Sequence, residues 1–238
     1  MKIVPTLTLA GVLALASLNL HAAEEWVALF DGKSLDGWVQ RGGAAKYRVE
    51  DGCIVGTSVL KTGNSFLCTQ KDYGDFVFEI EYKVDPKLNS GIQIRSQCFD
   101  KAGEAKDAKG ETLKDAKGNP IKIPAGRVHG YQIEIDPSAR AWSAGIYDEG
   151  RRGWLADLKN NPAAQKAFKQ NDWNKYRVEC KGDSIKTWIN GVPAADLKDG
   201  VTPKGFIALQ VHGIGNDKAK EGTEVRWRNI RLQPLDAK

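Results

Sequence analysis

Phe76-Val77-Phe78-Glu79-Ile80-Glu81-Tyr82-Lys83-Val84 alternates apolar and polar residues along its length. In an extended chain successive side chains point to opposite faces, so Phe76, Phe78, Ile80, Tyr82 and Val84 share a face that must be buried. Val77, Glu79, Glu81 and Lys83 then make an ordinary charged outer face. The same period of two recurs outward from this stretch, in Gly91 to Arg95, Tyr131 to Asp136, Tyr176 to Cys180, Ile185 to Ile189, Phe206 to His212 and Thr223 to Leu232. Asp51-Gly52, between Tyr47–Glu50 and Cys53–Gly56, and Asn190-Gly191 are the dipeptides favoured in two-residue hairpin turns. A further turn is expected at Lys181-Gly182-Asp183-Ser184.

One segment breaks the rhythm helically. Asn161 as N-cap and Pro162 at the first helical position open a short helix over residues 161–170. A single helix among many antiparallel strands predicts an all-β chain, a sandwich or jelly roll rather than an α/β fold. Residues 24–238 show no internal linker and are expected to form one domain. Residues 100–126 are rich in Lys, Asp, Gly and Ala, with Asp-Ala-Lys-Gly at both 107 and 115, and read as a long loop or solvated hairpin insert.

The beginning reads as an export signal. Lys2 supplies a positive start, residues 3–20 are largely apolar, and His21-Ala22-Ala23 offers a small-residue cleavage site. Residues 1–23 are thus expected to be a signal peptide, and the protein periplasmic or secreted. No later segment is apolar enough to span a bilayer. Cleavage would remove one lysine and no acid, so the formal charge of +5 falls only to +4, which gives no case for a nucleic-acid partner. Cys53, Cys68 and Cys180 fall within strands and read first as buried apolar residues. With Cys98 they allow three disulfide connectivities, among which the sequence does not choose.

What alternates with the apolar residues carries the chemistry. Period two places Gln93 with Arg95, Gln132 with Glu134 and Asp136, and Gln210 with His212. If these strands share a sheet, its outer face holds amides, carboxylates, an arginine and a histidine, groups suited to sugar hydroxyls. Trp142, Tyr147 and Trp154 are candidate aromatic platforms for a sugar ring. His129 and His212 are the two histidines beyond the leader, and each adjoins a strand of this face. Glu134-Ile135-Asp136 is similar to the strand signature of laminarinase-type glucanases. Those enzymes need a second glutamate three residues on, where this chain has Ala139, so a two-carboxylate glycosidase is not supported.

Leu29-Phe30-Asp31-Gly32-Lys33-Ser34-Leu35-Asp36-Gly37-Trp38, Tyr47-Arg48-Val49-Glu50-Asp51-Gly52 and Tyr73-Gly74-Asp75-Phe76 begin an ordered set of motifs. Asn89-Ser90-Gly91-Ile92-Gln93-Ile94-Arg95, Gly130 to Asp136, Trp173-Asn174, Asn190-Gly191 and Gly205 to His212 continue it. The set resembles the 3-keto-disaccharide hydrolase domain family, also described as 3-keto-glucoside lyase/hydratase domains. That resemblance implies a concanavalin A-like jelly-roll β-sandwich of two antiparallel sheets, export, and an oxidised (3-keto) sugar or glycoside as substrate.

A 3-keto group acidifies the C2 proton, so a base can remove it and expel the aglycone from C1. On chemistry and face, His129 or Glu134 is the expected base, Arg95 the enolate stabiliser, and His212 or Tyr147 the assistant to the leaving group. Gln93, Gln132, Asp136, Gln210, Trp142 and Trp154 are the expected substrate contacts. No cofactor is predicted. A divalent metal at Glu134, Asp136 and His129 is left open, their spacing matching no recognised metal motif. The competing readings are a non-catalytic carbohydrate-binding module and an adhesive envelope protein using the 100–126 insert.

Overall fold

The computed structural model describes residues 25–235, so the expected signal peptide lies outside the described residues. The chain opens with β1 (Val27–Ala28), β2 (Trp38–Gly42), β3 (Lys46–Glu50), β4 (Cys53–Thr57) and β5 (Ser65–Tyr73). It continues through β6 (Phe76–Val84), β7 (Ser90–Cys98), β8 (Gly103–Glu104), β9 (Lys122–Ile123) and β10 (Val128–Ile135). Then come β11 (Ile146–Glu149), β12 (Gly153–Ala156), α1 (Pro162–Ala167) and β13 (Asn174–Lys181). β14 (Ser184–Ile189), β15 (Val192–Lys198), β16 (Gly205–Val211) and β17 (Glu224–Pro234) complete it.

Two antiparallel sheets pack face to face. The first runs β15-β14-β13-β6-β17-β4-β3 with β1 added on β17, and the second runs β12-β11-β10-β7-β16-β5-β2. The apolar phase of the alternation is what joins them. Phe76, Phe78, Ile80, Tyr82, Tyr176, Val178 and Trp227 from the first sheet meet Ile92, Ile94, Tyr131, Ile133, Ile207 and Leu209 from the second in one buried cluster. Each such side chain contributes about 1.5–3 kcal/mol on burial. The expected turns form as read, with Asp51, Gly52, Asn190 and Gly191 all at positive φ. The helix is shorter than its expected span. Asn161 Oδ1 caps the Ala164 N–H, and the chain becomes extended at Phe168.

The insert is a hairpin rather than an open loop. β8 pairs with β9, and the two Asp-Ala-Lys-Gly echoes are two turns built alike. Asp107 Oδ1 accepts the N–H of Lys109 and Glu111, and Asp115 Oδ1 accepts those of Lys117 and Asn119. Ala105, Ile121 and Ile123 form a small satellite core against Phe99 and Leu113. All four cysteines are free, with Cys53, Cys68 and Cys180 buried.

Arg95 departs from the sequence reading. Against β10, the register runs His129↔Gln97 then Tyr131↔Ile94, so Arg95 and Ser96 oppose the single residue Gly130. Against β16 the same stretch also carries one residue too many, between Phe206↔Ser96 and Ala208↔Gln93. Arg95 is the extra residue of a β-bulge and sits at φ +44°. The bulge breaks the period and turns its side chain away from Gln93. Its guanidinium is fully buried and donates to Gly74 O (2.8 Å), Gly182 O (2.8 Å) and Asp75 Oδ1 (2.8 Å). Gly130 answers the bulge with φ +139°, where a Cβ would come within 2.4 Å of Ser96 Oγ.

Arg95 therefore ties the second sheet to the β5–β6 connection between the sheets and to the β13–β14 turn of the first. Replacing it with Met removes the guanidinium from Asp75, which keeps the Gly182 N–H, and from two carbonyls, and should lower the unfolding free energy by about 3–5 kcal/mol in urea titrations. A loss below about 1 kcal/mol would show that these bonds are not what anchors the bulge.

Candidate active site

The outer face of the second sheet is divided. At one end Phe66, Cys68, Phe206 and Ala208 alternate with core residues and cluster with Val128. Beyond them Gln93, Gln132 and Gln210 lie side by side on three neighbouring strands, all buried. Gln93↔Gln132 are register partners across β7 and β10, and Gln132↔Tyr147 are partners across β10 and β11. Above this floor lies a cavity of about 250 Å³. Glu134, Gln132, Tyr147, Glu149 and Trp154 line it from the strands, while Asn89, Arg140 and His212 close it from the loops.

Glu134 is its chemical centre. The carboxylate is 5% exposed, and Oε1 accepts Asn89 Nδ2 while Oε2 accepts Gln132 Nε2, both at 2.7 Å. Burial pushes its pKa up to about 7, against the lowering effect of those two hydrogen bonds. Asp136 adds to the rise and Arg140 opposes it. Arg140 Nη2 stands 3.5 Å from Glu134 Oε1, and its guanidinium covers both Trp142 and Trp154 at 4.9 and 5.1 Å from their ring centres. Trp154 meets Trp142 edge-on at 4.8 Å and Tyr147 at 5.3 Å. Burial, with the nearby charges of Glu149 and Glu134, raises the Tyr147 pKa, so this phenol stays protonated at neutral pH. Glu149 is held by Arg127 at 2.6 Å, and His212 is exposed with Nδ1 2.8 Å from Gly213 O.

The structure brings together only part of the set chosen from sequence. Glu134, Gln132, Tyr147, Trp154 and His212 line the cavity, with Gln93 and Gln210 buried beneath them and Trp142 behind Trp154. Arg95 is excluded by the bulge. His129 precedes the same bulge, is 1% exposed, packs edge-on against Phe99, and has Nδ1 beside Arg127 O. Burial lowers its pKa and it does not reach the cavity.

Asp136 is occupied as a loop clamp. It accepts Ser138 N–H and Oγ–H, Arg140 Nε and Trp142 N–H. Burial raises its pKa, but these bonds outweigh it and keep the group below its usual value. Consequently Glu134, Asp136 and His129 do not converge as a metal site. No cluster of three His, Cys, Asp or Glu suited to a metal occurs among the described residues. Asn89, Arg140 and Glu149 were not foreseen. Glu149 had a signal, because period two puts it on the face of Tyr147; loop residues Asn89 and Arg140 had none.

Larger cavities of about 480 and 580 Å³ lie on the outer face of the first sheet. Their carboxylates are already spoken for. Glu79, for example, is pushed up by burial but held below its usual pKa by Lys175 and Arg231, at 2.9 and 2.5 Å. A carboxylate so paired is a poor base, whereas Glu134 titrates where a base is useful.

Residues 25–233 match the family of 3-keto-alpha-glucoside-1,2-lyase-like domains. A 3-keto-disaccharide hydrolase of Bacteroides thetaiotaomicron is 27% identical over 90% of this chain and 80% of its own. Among solved structures, a putative glycosyl hydrolase from Parabacteroides distasonis superposes with a TM-score of 0.55 at 18% identity, covering 90% of this chain and 95% of that one. A Bacillus subtilis protein of unknown function with a galectin-like fold gives 0.55 at 13%, covering 84% and 90%. These likenesses establish the jelly-roll fold.

The raised pKa of Glu134 has a stability signature. Between its ordinary value of 4.5 and about 7 the folded state binds a proton that the unfolded chain has released, so stability falls as pH rises through that window. Relative to the natural protein, Glu134→Gln should gain up to about 3 kcal/mol on going from pH 4 to pH 8, read by urea unfolding at both. A pH-independent difference would return Glu134 to an ordinary carboxylate.

Proposed function

The chain belongs to the 3-keto-alpha-glucoside-1,2-lyase-like domain family, and we propose that it cleaves 3-keto-glycosides with Glu134 as the base. One observation carries the reading. A buried carboxylate whose pKa is raised to about 7 faces a polar cavity, with a guanidinium stacked on tryptophans beside it. A general base works best when its pKa lies near the working pH, and an arginine nearby can hold the negative charge that develops.

In the proposed sequence the ionised Glu134 removes the C2 proton of the keto sugar. The C–H electron pair forms the C2–C3 double bond of an enolate, whose oxygen Arg140 stabilises; this takes over the part expected of Arg95. Collapse of the enolate makes the C1–C2 double bond and breaks the bond from C1 to the aglycone oxygen. That oxygen takes its proton from Tyr147, which is protonated, or from His212 at the rim. Addition of water across C1–C2 places its hydroxide on C1 and its proton on the Tyr147 or His212 that protonated the aglycone, while Glu134 returns its proton to C2, giving net hydrolysis. Trp154 offers an aromatic wall for the ring, and Glu149 and Asn89 offer acceptors and donors for its hydroxyls.

The charged start and apolar run of residues 2–20 support export. A mature N-terminus at Glu24 in envelope fractions is the expected result, and full-length protein confined to the cytoplasm would count against export.

The direct test is aglycone release from a chromogenic 3-keto-glucoside beside its unoxidised parent. Release is expected from the keto compound alone, with the acidic limb of kcat/KM near pH 7. Glu134→Gln should lower kcat/KM by about 10³-fold. Saturable binding without release would assign the site to a carbohydrate-binding module instead.

A further inference from the structure

Gln132 is held by a hydrogen-bond chain with one direction. Its Oε1 accepts Gln93 Nε2 at 2.6 Å and Gln210 Nε2 at 2.8 Å, and its own Nε2 donates to Glu134 at 2.7 Å. Ser96 Oγ, beside the bulge, lies 2.9 Å from Gln93 Oε1 and 3.0 Å from Ile94 O, so its single proton is shared between orienting Gln93 and the backbone. Gln93, Gln210 and Ser96 have no solvent exposure and do not line the cavity. We infer that Gln93 and Gln210 are positioning residues: together they lock the Gln132 amide with its carbonyl inward and its N–H on Glu134, which readies that carboxylate to act as a base.

The Gln132 amide can neither turn over nor move aside. Two N–H donors fill both lone pairs of Gln132 Oε1. Turning the amide over would set N–H groups against N–H groups, and a carbonyl against a carboxylate. Sideways escape is closed as well, since the Gln132 side chain lies on Gly91, where a Cβ would come within 2.6 Å of its Cγ and Cδ. Amides linked in series polarise one another, so each donor to the carbonyl strengthens the N–H offered to Glu134. The contact that places the Gln210 amide is the one its Nε2 makes to Gln132 Oε1 at 2.8 Å.

This inference builds on Glu134 as the base, but part of its test is independent of activity. Hydrogen bonds to a carboxylate favour its ionised form, so weakening the Gln132 donor must raise the Glu134 titration midpoint. Gln93→Met and Gln210→Met remove one donor each while roughly keeping side-chain volume. The midpoint is read from the Glu134 carboxyl carbon by NMR in ¹³C-glutamate-labelled protein, assigned by its loss in Glu134→Gln. Each single variant should raise it by about 0.5 pH unit, and the double variant by more than about 1 unit. The acidic limb of kcat/KM should move with it.

A merely structural role predicts lower thermal stability with an unmoved midpoint. A double variant titrating within about 0.2 unit of the natural protein would overturn the inference. If the double variant does not fold, both single variants titrating at the natural midpoint would overturn it equally. If the midpoint rises while Glu134→Gln keeps full activity, the positioning chain stands and the assignment of the base falls.

Discussion

The extra residue at Arg95, pinned by its buried guanidinium, interrupts both ladders of the central strand of the second sheet. β7 lies between β10 and β16, and its bulge offsets it from both. Gln93, Gln132 and Gln210 lie on the regular side of it, where Gln93 opposes Gln132 and Gly91 opposes Gln210, and a one-residue slip there would exchange the two faces of a strand. The bulge is held from within by the Arg95 guanidinium, which reaches Gly74 and Asp75 in the β5–β6 connection between the sheets and Gly182 in the β13–β14 turn of the first sheet. One buried cation thus connects packing between the sheets to alignment within one of them. Ser96, the next residue, starts the amide chain that ends at Glu134.

The two outer faces follow the same alternation to different ends. On the first sheet, Arg48, Glu50, Glu224 and Arg226 form a paired lattice, and Glu81 and Glu79 are paired with Arg228 and Arg231. Such pairs, most of them part-exposed, add little stability each, and they hold Glu50, Glu79, Glu81 and Glu224 below the usual carboxylate value. On the second sheet the neighbours of Glu134 are mainly neutral amides. Amides orient a carboxylate without neutralising it, so burial prevails and the group titrates near neutral pH. The fold supplies too little counter-charge at this point, and stability is lost there as pH rises from about 4.5 to about 7.

Much of the architecture was legible because it depends on local period and turn chemistry. The stretch from Phe76 to Val84, the Asp51-Gly52 and Asn190-Gly191 turns and the Asn161 cap each carry their structure in consecutive residues. Glu134, Gln132 and Tyr147 were legible for the same reason, since regular alternation continues through them. Arg95 and His129 misled because both adjoin the bulge, where counting by two loses its meaning. Asp136 misled differently. Its face was read correctly, but loop residues Ser138, Arg140 and Trp142 consume its acceptor capacity.

By itself the sequence determined the strands, their buried faces, the turns and the chemical kinds of side chain available on the outer surface. Those properties follow from interactions among residues a few positions apart. Tertiary structure alone decided which strands became neighbours, that Asn89 and Arg140 close over Glu134 from separate loops, and that three glutamines join into one oriented chain. Register across a sheet and the pKa of a buried carboxylate are set by groups distant in sequence. A side chain's type therefore names what it can do, while its burial and partners decide whether it does so.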